Sequence, residues 1–205
     1  MVYTLAQVGA PITASMYNEI AQGARSYAFA NAAARAAETT MSDGDYGYQI
    51  DTSVLWRYNA AISAWRVWEQ TRTSYTPTVS NLTLGNGSMS ADYGVAAGRV
   101  WVSTRITLGS TSTIGGDLSM SVPYTRDAVV HPVGDAIEGT LHFVDASSGT
   151  RLVGEFVGVS GAVAMRATLV TASSNVSIIA ASATIPFTWA TNDNIWANFQ
   201  YVSGQ

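Results

Sequence analysis

Over the C-terminal two thirds of the chain, apolar and polar residues alternate in short runs that turn-forming residues separate. In residues 99–108, for example, Val100 and Val102 would face one way, and Trp101 and Ser103 the other. A period of two residues is the pattern of a half-buried β-strand, and a series of such runs with turn signals every ~8–12 residues is typical of an antiparallel sandwich. We therefore predict a mainly β chain whose residues 73–205 form a jelly-roll-like antiparallel β-sandwich.

The runs that predict strands in this sandwich lie at 78–84, 99–108, 118–122, 137–144, 151–159, 162–169, 177–188 and 195–202. The first run ends in Gly85-Asn86-Gly87. Asn and Gly both tolerate a positive φ, so this tripeptide predicts a hairpin turn.

A smaller β region precedes the sandwich. Short runs at 46–50, 54–58 and 65–69 predict a three-stranded meander within residues 41–72. So small a sheet has almost no interior, and its aromatic side chains must therefore pack against something outside it. We favour an oligomer interface and keep stacking on sugar rings as the alternative. The predicted interface residues are Tyr27, Trp56, Tyr58, Trp65 and Trp68.

Residues 1–40 are predicted to form an apolar arm followed by a helix from Met16 to about Thr39. Good helix formers fill the second half, and apolar or small residues recur at alternating spacings of three and four. The stripe consists of Met16, Ile20, Gly23, Tyr27, Ala30, Ala34 and Ala37. Because small side chains contribute little hydrophobic stabilisation, this region should pack against its own copies or a docking surface. We predict that it anchors the protein. The predicted anchoring residues are Tyr3, Leu5, Val8, Met16 and Ile20.

The charge content is low and carries no basic cluster. Charged residues make up 12% of the chain, against ~25% in an average globular protein. The net charge is −4, and the ten basic residues, all arginine, are scattered. Phosphate binding needs basic residues gathered on one face, so nucleic acid is not an expected partner. A charge-poor surface is typical of a protein that is covered by copies of itself or by partners.

No pattern of catalytic, metal-binding or cofactor-binding residues is visible. There is no cysteine, so thiolate metal sites and disulfides are excluded. His131 and His142 are the only histidines, and no nucleophile elbow surrounds any serine. Asp43-Gly44-Asp45 fits a turn better than a calcium loop. We expect no enzyme activity, no cofactor and no metal, and we find neither a signal peptide nor a membrane span.

Two sets of residues resemble bacteriophage virion proteins. The first resembles the β meander near the N-termini of phage tail and fibre proteins, and consists of Ser42-Asp43-Gly44-Asp45, Asp51-Thr52, Leu55-Trp56-Arg57-Tyr58-Asn59 and Ser63-Ala64-Trp65. The second is similar to the opening of a β-sandwich module of minor tail, receptor-binding and head-fibre proteins, and consists of Tyr75-Thr76-Pro77-Thr78, Leu84-Gly85-Asn86-Gly87, Tyr93, Gly98-Arg99-Val100 and Leu108-Gly109-Ser110-Thr111-Ser112.

This resemblance implies a homotrimer that is anchored by its N-terminal part and displays its C-terminal sandwich. The expected function is that of a structural virion protein, a capsid decoration or head-fibre protein, made in the host cytoplasm and located on the virion. Its expected partners are its own copies and the major capsid protein or another virion protein, with no membrane or nucleic acid. The alternative is a tail receptor-binding protein that recognises a host surface glycan.

Overall fold

The computed structural model describes residues 23–170 and 176–204. Within them the chain is mainly β, with thirteen strands and one short helix, which confirms the predicted fold class. The elements in chain order are β1 (Ser26–Phe29), α1 (Ala32–Ala37), β2 (Tyr46–Gln49), β3 (Val54–Asn59), β4 (Ala64–Ser74), β5 (Val79–Thr83), β6 (Ser88–Ala96), β7 (Arg99–Thr107), β8 (Thr113–Ser121), β9 (Ala136–Val144), β10 (Arg151–Val159), β11 (Ala162–Val170), β12 (Val176–Ala180) and β13 (Asn194–Val202).

The chain divides into two compact units. The N-terminal unit comprises Met1–Thr71, described from Gly23 onward, together with Val95–Gly98. The C-terminal unit comprises Arg72–Gly94 and Arg99–Gly204.

The N-terminal unit contains a small sheet with the strand order β1-β2-β3-β4. The pairs β2–β3 and β3–β4 are antiparallel, so the predicted three-stranded meander is confirmed. Strand β1 adds a fourth member, which pairs in parallel with β2 from Ser26↔Tyr46 to Phe29↔Gln49. The register shifts once, between Leu55 and Trp56 of β3, and this irregularity changes which β4 side chains share a face.

The predicted helix over 16–39 is wrong for much of its described part. Residues 26–29 form β1, and the helix is confined to Ala32–Ala37, where the Asn31 side chain caps its first turn by accepting from Ala34 N at 3.0 Å. Pairing in the sheet outweighs alanine's strong helix propensity, because β1 pairs its backbone with β2 and buries Phe29. Residues 1–22, with the rest of the predicted helix and the apolar arm, lie outside the described residues.

The C-terminal unit carries the strand order β6-β7-β13-β9-β10-β11-β8-β5, with β12 also paired to β11. Its registers are antiparallel, and several neighbouring strands are far apart in sequence, as in Greek-key sandwiches. Inward-facing side chains alternate along each strand and form one apolar core. Phe156 and Phe199 lie at its centre, with ring centroids 4.7 Å apart. The predicted antiparallel β-sandwich is therefore confirmed.

Two details of the predicted sandwich are corrected. The tripeptide Gly85-Asn86-Gly87 does form a turn, with Gly85 at φ +57°, but it does not close a hairpin. Strand β5 pairs with β8, and the following strand β6, which the sequence pattern missed, lies next to β7. The predicted strand over 177–188 is also too long, because only its first part pairs with β11, as β12.

The close packing of β9 against β13 generates a stability prediction. A Cβ atom on Gly139 would meet the carbonyl oxygen of Asn198 and lie 2.6 Å from Phe199 Cβ. We expect Gly139→Ala to lower the free energy of unfolding by about 1–3 kcal/mol, as overpacking does. Gly115→Ala is the matched control, because a Cβ there meets nothing within 4 Å. Urea denaturation measures both; equal stabilities of the two variants would contradict the observed β9–β13 register.

Candidate functional site

The aromatic residues of the small sheet in the N-terminal unit lie on two faces. The register places Tyr27 of β1 beside Gly47 and Gly47 beside Trp56, while Tyr58 pairs with Trp65. We call the surface formed by Tyr27, Phe29, Trp56, Tyr58 and Trp65 the aromatic face. Four of the five predicted interface residues thus share one face, and the fifth, Trp68, lies on the other.

Trp65 is the centre of the aromatic face. Its ring makes edge-to-face contacts with Tyr27, Phe29 and Tyr58 at centroid distances of 5.9, 5.4 and 5.4 Å. Tyr27 and Phe29 stack on each other at 5.7 Å. Such pairs add about 0.5–1.5 kcal/mol each beyond the apolar area that they bury. Only Phe29 of this cluster is buried; the other rings are half-buried, so part of their surface remains open to a partner.

A glycine makes this cluster possible. A Cβ on Gly47 would meet the Phe29 ring and lie 3.1 Å from Trp65 Cζ3. The missing side chain therefore leaves the space that these two rings occupy.

The short helix α1 contributes one residue to the aromatic face. Its Arg35 guanidinium lies 3.4 Å from the centre of the Trp56 ring, a cation–π contact. The same guanidinium donates from Nη1 to Gln49 Oε1 at 2.5 Å, and Gln49 is itself buried. Arg35 thus ties the helix to the sheet and covers one face of Trp56 with its guanidinium cation.

The opposite face of the small sheet holds a second, smaller cluster. Tyr46 and Leu55 are buried there, and Tyr48 and Trp68 pack against them. Tyr46 and Trp68 meet edge-to-face at 6.2 Å, and the Arg57 guanidinium lies 5.1 Å from the Trp68 ring centre. This cluster is one part of the unit's buried apolar interior, to which Phe29, Val54 and Val67 also belong.

Asp45 organises the turn that the sequence shows as Asp43-Gly44-Asp45. Its fully buried carboxylate accepts from Arg25 N at 2.8 Å and from Ser42 N at 2.7 Å, and pairs with the Arg25 guanidinium at 3.0 Å. The Tyr27 hydroxyl also reaches it at 3.4 Å, and burial raises the pKa of that hydroxyl. The carboxylate of Asp43 instead accepts from Ala60 N at 2.9 Å. The hydrogen bonds that they accept show that both carboxylates stabilise a structural turn.

Sequence reasoning missed Phe29, Arg35 and the buried role of Asp45. A local signal existed for Phe29, because Ser26-Tyr27-Ala28-Phe29 alternates apolar side chains like a strand within a run of alanines. Arg35 and Asp45 gave no local signal, since their partners lie elsewhere in the sequence. The predicted anchoring residues Tyr3, Leu5, Val8, Met16 and Ile20 lie outside the described residues.

The two histidines occupy separate positions in the C-terminal unit. His142 lies in the middle of β9, between Val153 of β10 and Trp196 of β13. His131 lies in a loop, where burial and the neighbouring Arg126 and Arg99 guanidinium groups lower the pKa of its imidazole. Among residues 23–170 and 176–204, no group of three or more histidine and acidic side chains is arranged to hold a metal ion. In the same residues, no helix is long and apolar enough to cross a bilayer.

No protein-family model, curated protein or solved structure matches this chain. The resemblance to phage virion proteins therefore stays a prediction.

The buried carboxylate of Asp45 generates a prediction for the N-terminal unit. Asp45→Asn keeps the shape but removes the ion pair with Arg25 and turns an NH₂ group toward a backbone donor. We expect it to lower the free energy of unfolding by about 1–3 kcal/mol. Asp43→Asn is the matched control, because its exposed side chain keeps an oxygen for Ala60 N; we expect a change within about 0.5 kcal/mol. Thermal and urea unfolding give both values, and an unaffected Asp45→Asn protein would contradict this role.

Proposed function

We propose that this chain is a non-enzymatic structural protein of a bacteriophage virion, a homotrimeric capsid decoration or head-fibre protein. The N-terminal region attaches it to the major capsid protein or another virion protein, and the C-terminal sandwich faces outward. Two kinds of support lead to this proposal: the phage-like motifs of the meander and sandwich, and the geometry of the aromatic face.

The incompletely buried aromatic face carries the proposal. Tyr27, Trp56, Tyr58 and Trp65 are ordered by one another and by Gly47, yet no described element of the N-terminal unit buries them completely. Ile50 and Ile62 of the same unit are also 47% and 46% exposed. Tryptophan and tyrosine are enriched in interface cores and among the residues that dominate binding energy. A surface of this kind is typical of a protein–protein contact.

The apolar character of this face favours a second copy of the chain as its occupant. Of the two cations nearest the aromatic rings, Arg25 pairs with Asp45, while Arg35 lies on Trp56 and binds the neutral Gln49 and so keeps its charge. The rings themselves offer an apolar surface to a partner. Identical apolar surfaces complement one another around a rotation axis, as in closed homo-oligomers.

A tail receptor-binding protein is the second candidate function. The accessible rings of Tyr58 and Trp65 favour it, because aromatic side chains also stack on sugars. The number of copies in a purified virion separates the candidates: a number that follows the capsid lattice supports the decoration protein, and a low number that follows the tail supports receptor binding.

The trimer proposal predicts how the protein behaves in solution. We expect sedimentation equilibrium at micromolar concentration to give three times the chain mass. Trp65→Ala should dissociate the trimer and cost about 3–5 kcal/mol of stability, as large core truncations do. Trp101→Ala is the control: this exposed residue of β7 belongs to the C-terminal unit, and its loss should leave the mass unchanged. A monomeric wild-type protein would sink the proposal.

Attachment through the N-terminal region predicts the effect of a deletion. Removing residues 1–22 spares β1 and every other described element. We expect the shortened protein to keep its circular dichroism and its sedimentation mass but to lose its place on assembled particles. Occupancy is measured by mass spectrometry of particles made with the full-length or the shortened chain, and normal occupancy would place the anchor elsewhere.

A further inference from the structure

The C-terminal unit contains a groove between two segments that are distant in sequence. One wall is the turn between β7 and β8, and the other is the stretch between β12 and β13. Its volume is about 370 Å³, within the ~300–1,000 Å³ range of small-ligand sites. The side chains that matter here are Ser110, Thr113, Thr188, Trp189 and Thr191.

A buried acid holds the two walls in place. Asp193 is fully buried, and its carboxylate accepts from Ala190 N at 2.6 Å and from Ala146 N at 2.9 Å. Its backbone oxygen accepts from Leu108 N at 2.9 Å, and Leu108 in turn accepts from Asn192 N at 2.8 Å. The bonds through Leu108 join one wall to the other, so the groove is formed before any ligand enters.

Asn86 fixes the turn between β7 and β8 through hydrogen bonds of its side chain. Its side-chain oxygen accepts from Thr111 N at 3.0 Å, while its amide nitrogen donates to Ser110 Oγ at 3.0 Å. The Ser110 hydroxyl is thereby oriented, with its own hydrogen left to donate.

Trp189 provides an apolar surface in the groove. Its indole N–H already donates to the carbonyl oxygen of Ser182 at 2.8 Å. Phe143 and Phe187 pack against the indole with centroid distances of 5.8 and 4.7 Å, which fixes the ring. What it presents to the groove is therefore carbon surface.

Hydroxyl groups that make no hydrogen bond within the described part of the chain line the same groove. The exposed side chains of Thr113, Thr188 and Thr191 make no hydrogen bond to any other described residue. No charged side chain lines the groove. The lining thus combines one fixed aromatic ring with several uncommitted neutral donors and acceptors.

We propose that this groove binds a neutral saccharide. A sugar ring has C–H groups that pack on an aromatic surface and hydroxyls that pair with other hydroxyls, and the groove offers both. An ionic ligand would lose hydration without meeting an opposite charge, and a purely apolar ligand would bury the threonine hydroxyls unpaired. The site lies wholly within the C-terminal unit and does not depend on the proposed trimer.

Saturation-transfer NMR on the full chain tests the site with a panel of free sugars. The neutral probes are lactose, maltose, mannose and N-acetylglucosamine; glucuronic acid, glucosamine and cyclohexanol stand for acidic, basic and apolar ligands. We expect transfer to at least one neutral sugar, with an affinity in the millimolar range, and none to the other three. Transfer to no neutral sugar, or equal transfer to the charged ones, would overturn the proposal.

Variants locate the binding in the groove. Thr188→Val and Thr191→Val keep the side-chain shape and should each weaken binding about fivefold, as the loss of one hydrogen bond does. Trp189→Phe keeps an aromatic ring against Phe143 while shrinking the stacking surface, and it should weaken binding as well. Thr140→Val is the control, since Thr140 is exposed on β9 away from the groove lining. Threonine variants that bind the sugar as tightly as the Thr140→Val control would contradict the assignment of the site. This comparison does not depend on the oligomeric state of the protein.

Discussion

Strand β13 organises the C-terminal unit. It pairs with β7 along its whole length, from Asn194↔Thr107 to Val202↔Arg99, and its other edge pairs with β9. Its inward side chains are buried, and Tyr201 at its end donates from its hydroxyl to the carbonyl oxygen of Tyr124 at 3.0 Å. Burial raises the pKa of that hydroxyl well above its usual range, so the donor is kept at all ordinary pH values. Because β13 lies between β7 and β9, which precede it in the sequence, this part of the sheet is complete only when Asn194–Val202 has paired with both.

The N-terminal unit reaches order by a different route. In its described residues, ring contacts around Trp65 and the ion pair between Arg25 and Asp45 supplement the buried side chains of the small sheet. Such contacts fix the positions of the rings but leave all of them except Phe29 incompletely buried. The unit thus combines a defined geometry with an incompletely buried aromatic face, the combination on which the proposed trimer rests.

The aromatic face and the groove by Trp189 have different recognition chemistry. The first is a sheet surface with several adjacent rings, which suits a broad protein contact. The second is concave, contains one fixed ring among hydroxyls and is held by backbone hydrogen bonds of Leu108 with Asn192 and Asp193. The proposed trimer and the proposed saccharide site thus use different units of the chain.

The sequence by itself determined that the chain is mainly β and where most strands lie: the alternation of side chains predicted Arg151–Val159 with its observed bounds, because a period of two residues is a local property. It also indicated the meander and four rings that share its aromatic face. Only the tertiary structure decided which strands pair, that residues 26–29 join a sheet, and that the turn after β5 closes no hairpin. The groove was also decided only by the tertiary structure, since hydrogen bonds between Asp193 and Leu108 join its walls. These features depend on backbone hydrogen bonds and burial between residues far apart in the chain, which local propensity does not encode.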